Sequence, residues 1–258
     1  FPLFHGEAPL TVTTLHGRQD MMQRRALYAS FPDMPLVSIS ASQRTPVPDA
    51  HFAATIHHGL PETLHRPTFD PKGGYLAFLG RISPEKRPDR AIAIAEAVGL
   101  PLKIAAKVDR QDQRYWTETI EPLVRGRNVE FVGEIGEHEK SEFLGNALAL
   151  LFPIDWPEPF GLVLIEAMAC GTPVMAFDRG SVREIIRDGV SGKLVTSVEE
   201  AIAAMPDLLA LDRRCVRQAF ESEFTARRMA LDYERLYRGI VARQDTADRA
   251  LRDAPLAN

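Results

Sequence analysis

Two glutamates, Glu158 and Glu166, stand with seven residues between them in PEPFGLVLIEAMACGTPV (157–174), and Glu166 falls inside an otherwise apolar run. Burying even a neutral polar group without a partner costs about 2–7 kcal/mol, so Glu166 needs something to satisfy it. Two partners suit such a carboxylate. One is an arginine in an internal ion pair. The other is a ligand's vicinal diol, whose two O–H donors match the two oxygens. Gly161, at the expected start of this helix, has no side chain, so a ligand can approach the amides of Gly161 and Leu162. Glu166 lies four residues past Leu162, on the same helix face, and its side chain leans back toward the amino end. A ligand with phosphate at the helix start and hydroxyls further along would meet both features. On the helix alone, the ion pair and the ligand remain equal readings.

A second cluster lies in FLGRISPEKRPD (78–89). Gly80 sits at the carboxyl end of an expected strand, where open α/β sheets bind ligands. Ser83 reads as an N-cap and Pro84 as the first helical residue. That places Lys86 and Arg87 in a first turn, where the helix dipole disfavours each cation by about 0.3–1 kcal/mol. A bound anion would relieve this, and so would simple hydration of both side chains. Trp156, beside Glu158, either packs on a ligand or plugs the core. No Asp-x-Asp or Cys-x-x-Cys spacing occurs, and the adjacent His57 and His58 would point to opposite faces of a strand, so no metal site is implied.

These residues need a scaffold, and the apolar pattern supplies one. From Lys72 onward, strand-like stretches (74–82, 102–108, 129–135, 148–154, 173–177 and 193–197) alternate with helical ones (84–99, 114–124, 137–147 and 181–189). Short apolar strands separated by helices argue for a parallel sheet covered on both faces. After Ser197 the chain turns helical, and Met229, Tyr233, Leu236 and Ile240 form one apolar stripe among arginines. The tail 245–258 lacks an apolar rhythm and reads as loose. Before Lys72, three strand candidates (10–16, 36–42 and 52–58) flank one helical stretch, and 59–74 reads as a Pro- and Gly-rich linker.

With 258 residues, 45% hydrophobic and 26% charged, and a formal net charge of -4, the composition is that of an ordinary globular protein. It lacks the strongly basic balance of a nucleic-acid binder, and no run approaches the ~20 apolar residues of a membrane helix. Two cysteines cannot build a disulfide framework, which points to a reducing, cytoplasmic setting.

GRISPEKRPD, VEFVGEI, EPFGLVLIEAMACGTPVMAFDRGSVREII and DGVSGKLV together resemble the donor-binding half of retaining glycosyltransferases of family four (group 1). The resemblance covers roughly residues 10 to 240. It implies an α/β GT-B fold of two Rossmann-like domains, with the donor-binding domain complete and the acceptor-side domain only partly present. The domains would be 1–66 for the acceptor-side remnant and 67–224 for the donor domain. Residues 225–244 would form a terminal helix packing back on the first domain, followed by the tail 245–258. The family's first domain begins with a glycine-rich loop that has no counterpart here, so the chain is expected to be amino-terminally incomplete. The missing segment is then a possible separate partner.

The family's roles carry over by position. Arg81 and Lys86, after Gly80, would grip the diphosphate of a nucleotide sugar. Glu158 would face the donor sugar, and Glu166 would hold the ribose hydroxyls. The amides of Phe160, Gly161 and Leu162 would complete the cradle, and the backbone from Val132 to Ile135 would meet the base. His16, in TTLHG, would face the sugar, and HHGL (57–60) resembles the family's Asn-Gly turn with His58 in place of Asn. Lys107 stands where relatives have glycine, as a further phosphate cation or a surface lysine. The implied reaction transfers a sugar from a nucleoside diphosphate, UDP rather than GDP, to an unidentified hydroxyl acceptor. It proceeds with retention and without metal or other cofactor. A nucleotide-sugar epimerase on the same fold and a non-catalytic nucleotide-sugar-binding module are the alternatives.

Overall fold

The computed structural model describes residues 10–253, and the expectations for residues 1–9 and 254–258 fall outside that range. Two parallel sheets organise the chain. The first joins β1 (Thr13–Thr14), β2 (Leu36–Ser38) and β3 (Phe52–Thr55) in that order, with α1 (Met22–Ser30) crossing from β1 to β2. These strands are shorter than the apolar runs suggested. Leu15 and Ile56 still bond the carbonyls of Val37 and Ser38. Beyond Ser38 the chain bends into a single turn, Ser42–Arg44, where Gln43 Oε1 takes the Ile39 N–H.

The second sheet has six parallel strands: β4 (Leu76–Arg81), β5 (Leu102–Lys107), β6 (Val129–Gly133), β7 (Ala149–Phe152), β8 (Val174–Phe177) and β9 (Gly192–Val195). Their spatial order is β6-β5-β4-β7-β8-β9. Leu76, Phe78, Ile104, Leu151 and Met175 pack on one face, and Ala77, Ala105, Leu150, Phe152 and Val174 pack on the other. Alternation with period two thus feeds two buried clusters, as a sheet covered on both sides requires. α2 (Pro88–Val98) and α8 (Val198–Leu209) cover the first face. α6 (Leu162–Ala169) and α9 (Arg213–Glu223) cover the second, joined there by α5 (Glu137–Gly145).

Three local expectations are corrected. The helix placed at 84–99 begins at Pro88; residues 83–87 form a turn in which Lys86 and Arg87 amides both reach the Ser83 carbonyl. Ser83 caps nothing, since its buried hydroxyl has no partner among the described residues. Pro88 and Asp89 therefore occupy the first helical turn, in accord with the dipole, and no bound anion is needed to excuse two cations there. The helix placed at 114–124 is broken into α3 (Gln113–Tyr115), a π-turn (Trp116–Ile120) and α4 (Glu121–Val124), because Pro122 lacks the N–H that a continuous ladder needs. The tail read as loose from Asp245 instead continues α10 (Ala226–Asp253).

The segment 59–74 is tied down by two buried arginines of α9. Arg213 donates to the carbonyls of Thr68, Gly145 and Ala147, and Arg217 donates to those of Glu62, His65 and Ala169. α10 starts beside this segment, where Arg228 bonds the carbonyls of His57 and His58. Further along, Tyr233 meets the Thr14 hydroxyl of the first sheet at 2.9 Å.

Candidate functional site

The strand order reverses between β4 and β7, and such a switch point opens a crevice at the carboxyl ends of the strands. β4 delivers Gly80 and Arg81 there, and the turn after it delivers Lys86. β7 runs on into Asp155, Trp156 and Glu158. The two segments meet through the Asp155 amide, which bonds the Glu85 carbonyl at 2.9 Å. Lys86 pairs with Glu158 Oε2 and lies over the rings of Phe152 and Trp156, 5.5 and 5.2 Å from their centroids. Trp156 donates its indole N–H to the same oxygen at 3.1 Å. Trp156 thus neither merely plugs the core nor stands ready as a bare stacking surface. It orients Glu158.

Arg81 is bound differently. Its nearest carboxylates, Asp109 and Asp112, are 3.7 and 3.8 Å away, and its guanidinium makes no hydrogen bond among the described residues. Its N–H donors remain available. Lys107 is 55% exposed and 3.3 Å from Asp109, an ordinary surface pair. A cleft of about 490 Å³ opens here, lined by Arg18, Arg81, Ser83, Glu85, Asp112 and Trp156. Arg18, from the loop after β1, lies over the Trp156 ring at 5.6 Å and bonds Glu85 at 3.1 Å, so the first sheet's loop closes one wall. The sequence offers no signal for Arg18, because its approach depends on two segments far apart in the chain.

The loop 157–161 is held from both sides. Ser181 bonds the carbonyls of Glu158 and Phe160, and Ser40, from the first sheet's side, donates to the Pro159 carbonyl at 2.6 Å. Gly180, at φ 63°, packs so closely that an added Cβ would lie 2.4 Å from the Glu158 amide nitrogen. Gly161, at φ 86°, forms the left-handed start of α6. The amides from Leu162 onward begin there, with Leu162 itself 46% exposed and Phe160 buried. His16 stacks on His58 with ring centroids 5.2 Å apart, and His58 meets Phe160 edge-on at 4.9 Å. Burial first, with His16, Arg228 and His57 adding, pushes His58 down to about 4. His57 turns the other way, to Glu184, which also accepts the amides of Ala41 and Ser42.

Glu166 is 8% exposed on α6 and has a protein partner, though not an arginine. Lys140 of α5 lies 2.8 Å from Glu166 Oε1 and 2.8 Å from Glu137 Oε2. Burial alone would lower the Lys140 pKa, but its bonds to Glu137 and Glu166 outweigh that and raise it. Glu166 Oε2 has no hydrogen-bond partner among the described residues. Ile135 packs against the core near the end of β6, whereas Val132 is 41% exposed. The structure therefore brings Arg81, Lys86 and Glu158 together at the switch point and puts Phe160–Leu162 at the neighbouring helix start. It leaves Lys107 at the rim. The sequence reading overlooked Lys140, Glu137, Gly180 and Glu184, each of which acts through a partner remote in sequence.

A family model for glycosyl transferases group 1 matches residues 62–221. The chain belongs to that family. D-inositol 3-phosphate glycosyltransferase of Frankia alni is 32% identical over 154 residues, spanning 51% of this chain and 35% of that protein. Phosphatidyl-myo-inositol mannosyltransferase of Mycobacterium leprae is 38% identical over 77 residues, spanning 30% of this chain and 21% of that protein. The chain thus covers about a third or less of these curated relatives. Among solved structures, AviGT4, a glycosyltransferase of avilamycin A biosynthesis, superposes with a TM-score of 0.67 and 26% identity over 80% of this chain and 64% of its own. Sucrose-phosphate synthase of Thermosynechococcus elongatus gives 0.77 and 23% over 90% and 68%. The α/β fold with parallel sheets matches that of GT-B glycosyltransferases. No helix among the described residues is long and apolar enough to cross a membrane.

Proposed function

We propose that this group 1 glycosyltransferase chain binds a nucleoside-diphosphate sugar, with UDP as the nucleotide. The sugar passes to a hydroxyl acceptor with retention at the anomeric carbon. The observation that carries this reading is the convergence of three features at the β4/β7 switch point. These are the available donors of Arg81, the Lys86–Glu158–Trp156 group, and the open start of α6 with the Glu166 oxygen beyond it.

In this reading Arg81, Lys86 and the amides at the start of α6 surround the diphosphate. As the bond to the sugar breaks, negative charge grows on the leaving phosphate, and preorganised donors stabilise it without rearrangement. Two cations and a helix terminus supply that stabilisation from the protein, so the step is proposed to run without metal. Glu158 keeps Oε2 on Lys86 and Trp156 and turns Oε1 toward the sugar. His16, its ring backed by neutral His58, faces the same space. Glu166 takes the ribose.

Calorimetric titration of the full-length protein with UDP, GDP and ADP, with and without Glu166→Ala, tests the reading. Binding of UDP above the others, reduced at least tenfold in the variant, is the expected result. Equal binding by a folded Glu166→Ala protein would reduce Glu166 to a buried ion-pair partner and remove the proposal's support. Chromatography of the products with and without a hydroxyl acceptor separates transfer from epimerisation, which needs no acceptor.

A further inference from the structure

The cluster around Glu166 holds more than the proposed function uses. Lys140 has three N–H donors, and Glu137 and Glu166 take two of them. The side chain is 20% exposed, and its third donor has no acceptor among the described residues. Glu137 has a second close neighbour. His65, whose side chain is fully buried, places Nε2 3.3 Å from Glu137 Oε1. Its Nδ1 lies 3.2 Å from the Ser141 hydroxyl, whose oxygen takes the Arg66 N–H at 3.4 Å. Nε2, though near Glu137, makes no hydrogen bond among the described residues. Burial, the largest influence on His65, lowers its pKa and keeps it neutral. His65, Glu137 and Glu166 bring potential ligand atoms within 4.8 Å of one another, a grouping that favours a cation, and the Lys140 ammonium meets both carboxylates.

This arrangement changes how a diol can be bound. Glu166 Oε1 already accepts a charge-assisted bond, and stripping Lys140 from it would cost more than one hydroxyl returns. Glu166 Oε2 remains as an acceptor, and the third Lys140 N–H remains as a donor. A vicinal diol offers the matching pair: one O–H to give, and one oxygen lone pair to receive.

We infer that Lys140 is a specificity-determining part of the nucleotide site, so that the ribose diol is read by Glu166 Oε2 and the Lys140 ammonium together. Glu137, which shares the ammonium, acts as a positioning residue behind it. The inference rests on the reading of Glu166 as the ribose ligand. Its selectivity is against nucleotides lacking one ribose hydroxyl, because a missing hydroxyl leaves either the third Lys140 N–H or Glu166 Oε2 unmatched when the site closes on the nucleotide.

The test is calorimetric titration of the full-length protein with UDP, 2′-deoxy-UDP and 3′-deoxy-UDP, with the GDP series in parallel. The proteins compared are wild type, Lys140→Met, Lys140→Arg and Glu166→Ala, with Lys140→Gln replacing Lys140→Met if the latter does not fold. In the wild type, loss of the hydroxyl facing Lys140 should weaken binding about tenfold, as expected for one charge-assisted hydrogen bond. Lys140→Met should weaken UDP by about the same factor, bind that deoxynucleotide as the wild type does, and so lose the preference. Lys140→Arg should restore part of it. A folded Lys140→Met protein that binds UDP normally, or that weakens all three nucleotides equally, overturns the inference. If Glu166→Ala removes the ribose preference while Lys140→Met keeps it, Lys140 fails and Glu166 stands. If Glu166→Ala has no effect, or the wild type binds neither series, the underlying reading fails with it.

Discussion

Gly180→Ala tests how tightly the Glu158 loop is specified. Gly180 has φ 63°, and a Cβ there would lie 2.4 Å from the Glu158 nitrogen and 2.5 Å from its carbonyl oxygen. Ordinary contact begins near 3.4 Å, so the Glu158 backbone must withdraw by about 1 Å. That movement pulls on the Ser181–Glu158 bond and on the Lys86 and Trp156 contacts that orient the carboxylate. A displacement of about 1 Å in a catalytic group costs roughly 10²-fold in rate. The left-handed conformation adds about 1–2 kcal/mol of instability for any residue with a Cβ. Gly189 provides the control: its φ is 74°, and no described residue lies within 4 Å of an added Cβ. Gly189→Ala should therefore pay the conformational cost alone. The assay is the initial rate of nucleoside diphosphate release from a panel of UDP- and GDP-sugars by the full-length protein, alongside urea unfolding. Gly180→Ala should lose about 100-fold in kcat/KM, and Gly189→Ala should stay within threefold of the wild type. Comparable rates for Gly180→Ala and the wild type would refute the claim that Glu158 must stand where it does. Equal losses in both variants would show that left-handed strain, and not the close approach, is responsible.

His58 makes stability depend on pH. Its pKa lies at about 4 when folded, against an ordinary 6.5, so the unfolded chain binds the proton first as pH falls. Stability should therefore drop between pH 6.5 and 4 by on the order of 1–2 kcal/mol after allowance for solvent screening, and His58→Asn should remove that part of the slope in urea melts. Arg213→Met should cost about 3–4 kcal/mol, because it strips donors from three carbonyls and the Thr172 hydroxyl; a change under 1 kcal/mol in urea unfolding would contradict that. Glu184→Gln should weaken the hold on the Ala41 and Ser42 amides and His57 by about 1–3 kcal/mol. Hydrogen exchange should then rise first at 41–57, and uniform change across the chain would argue against a local clamp.

The alternation of short apolar strands with helices was legible from residue order, because a strand buried on both faces and a helix with one apolar stripe leave different periods in the sequence. The same pattern set Gly80 at a strand end and Gly161 at a helix start, since both depend on a few neighbouring residues. The helix start at Pro88 was harder. Ser83–Pro84 and Arg87–Pro88 both look like initiation signals, and the left-handed conformation of Arg87, held by Asp89 and Asp155, selects the second. The fate of Glu166 shows the limit most clearly. Its chemical need for a partner was visible in the sequence, but the partner is a lysine 26 positions away on another helix. Arg18 over Trp156, and Ser40 and Glu184 linking the first sheet to the Glu158 loop and α7 (Val182–Ile185), share that character. Local order determined which elements form and which residues need company. Tertiary packing alone decided who supplies it, because charge pairing and close backbone approach depend on distances in space that no local spacing encodes.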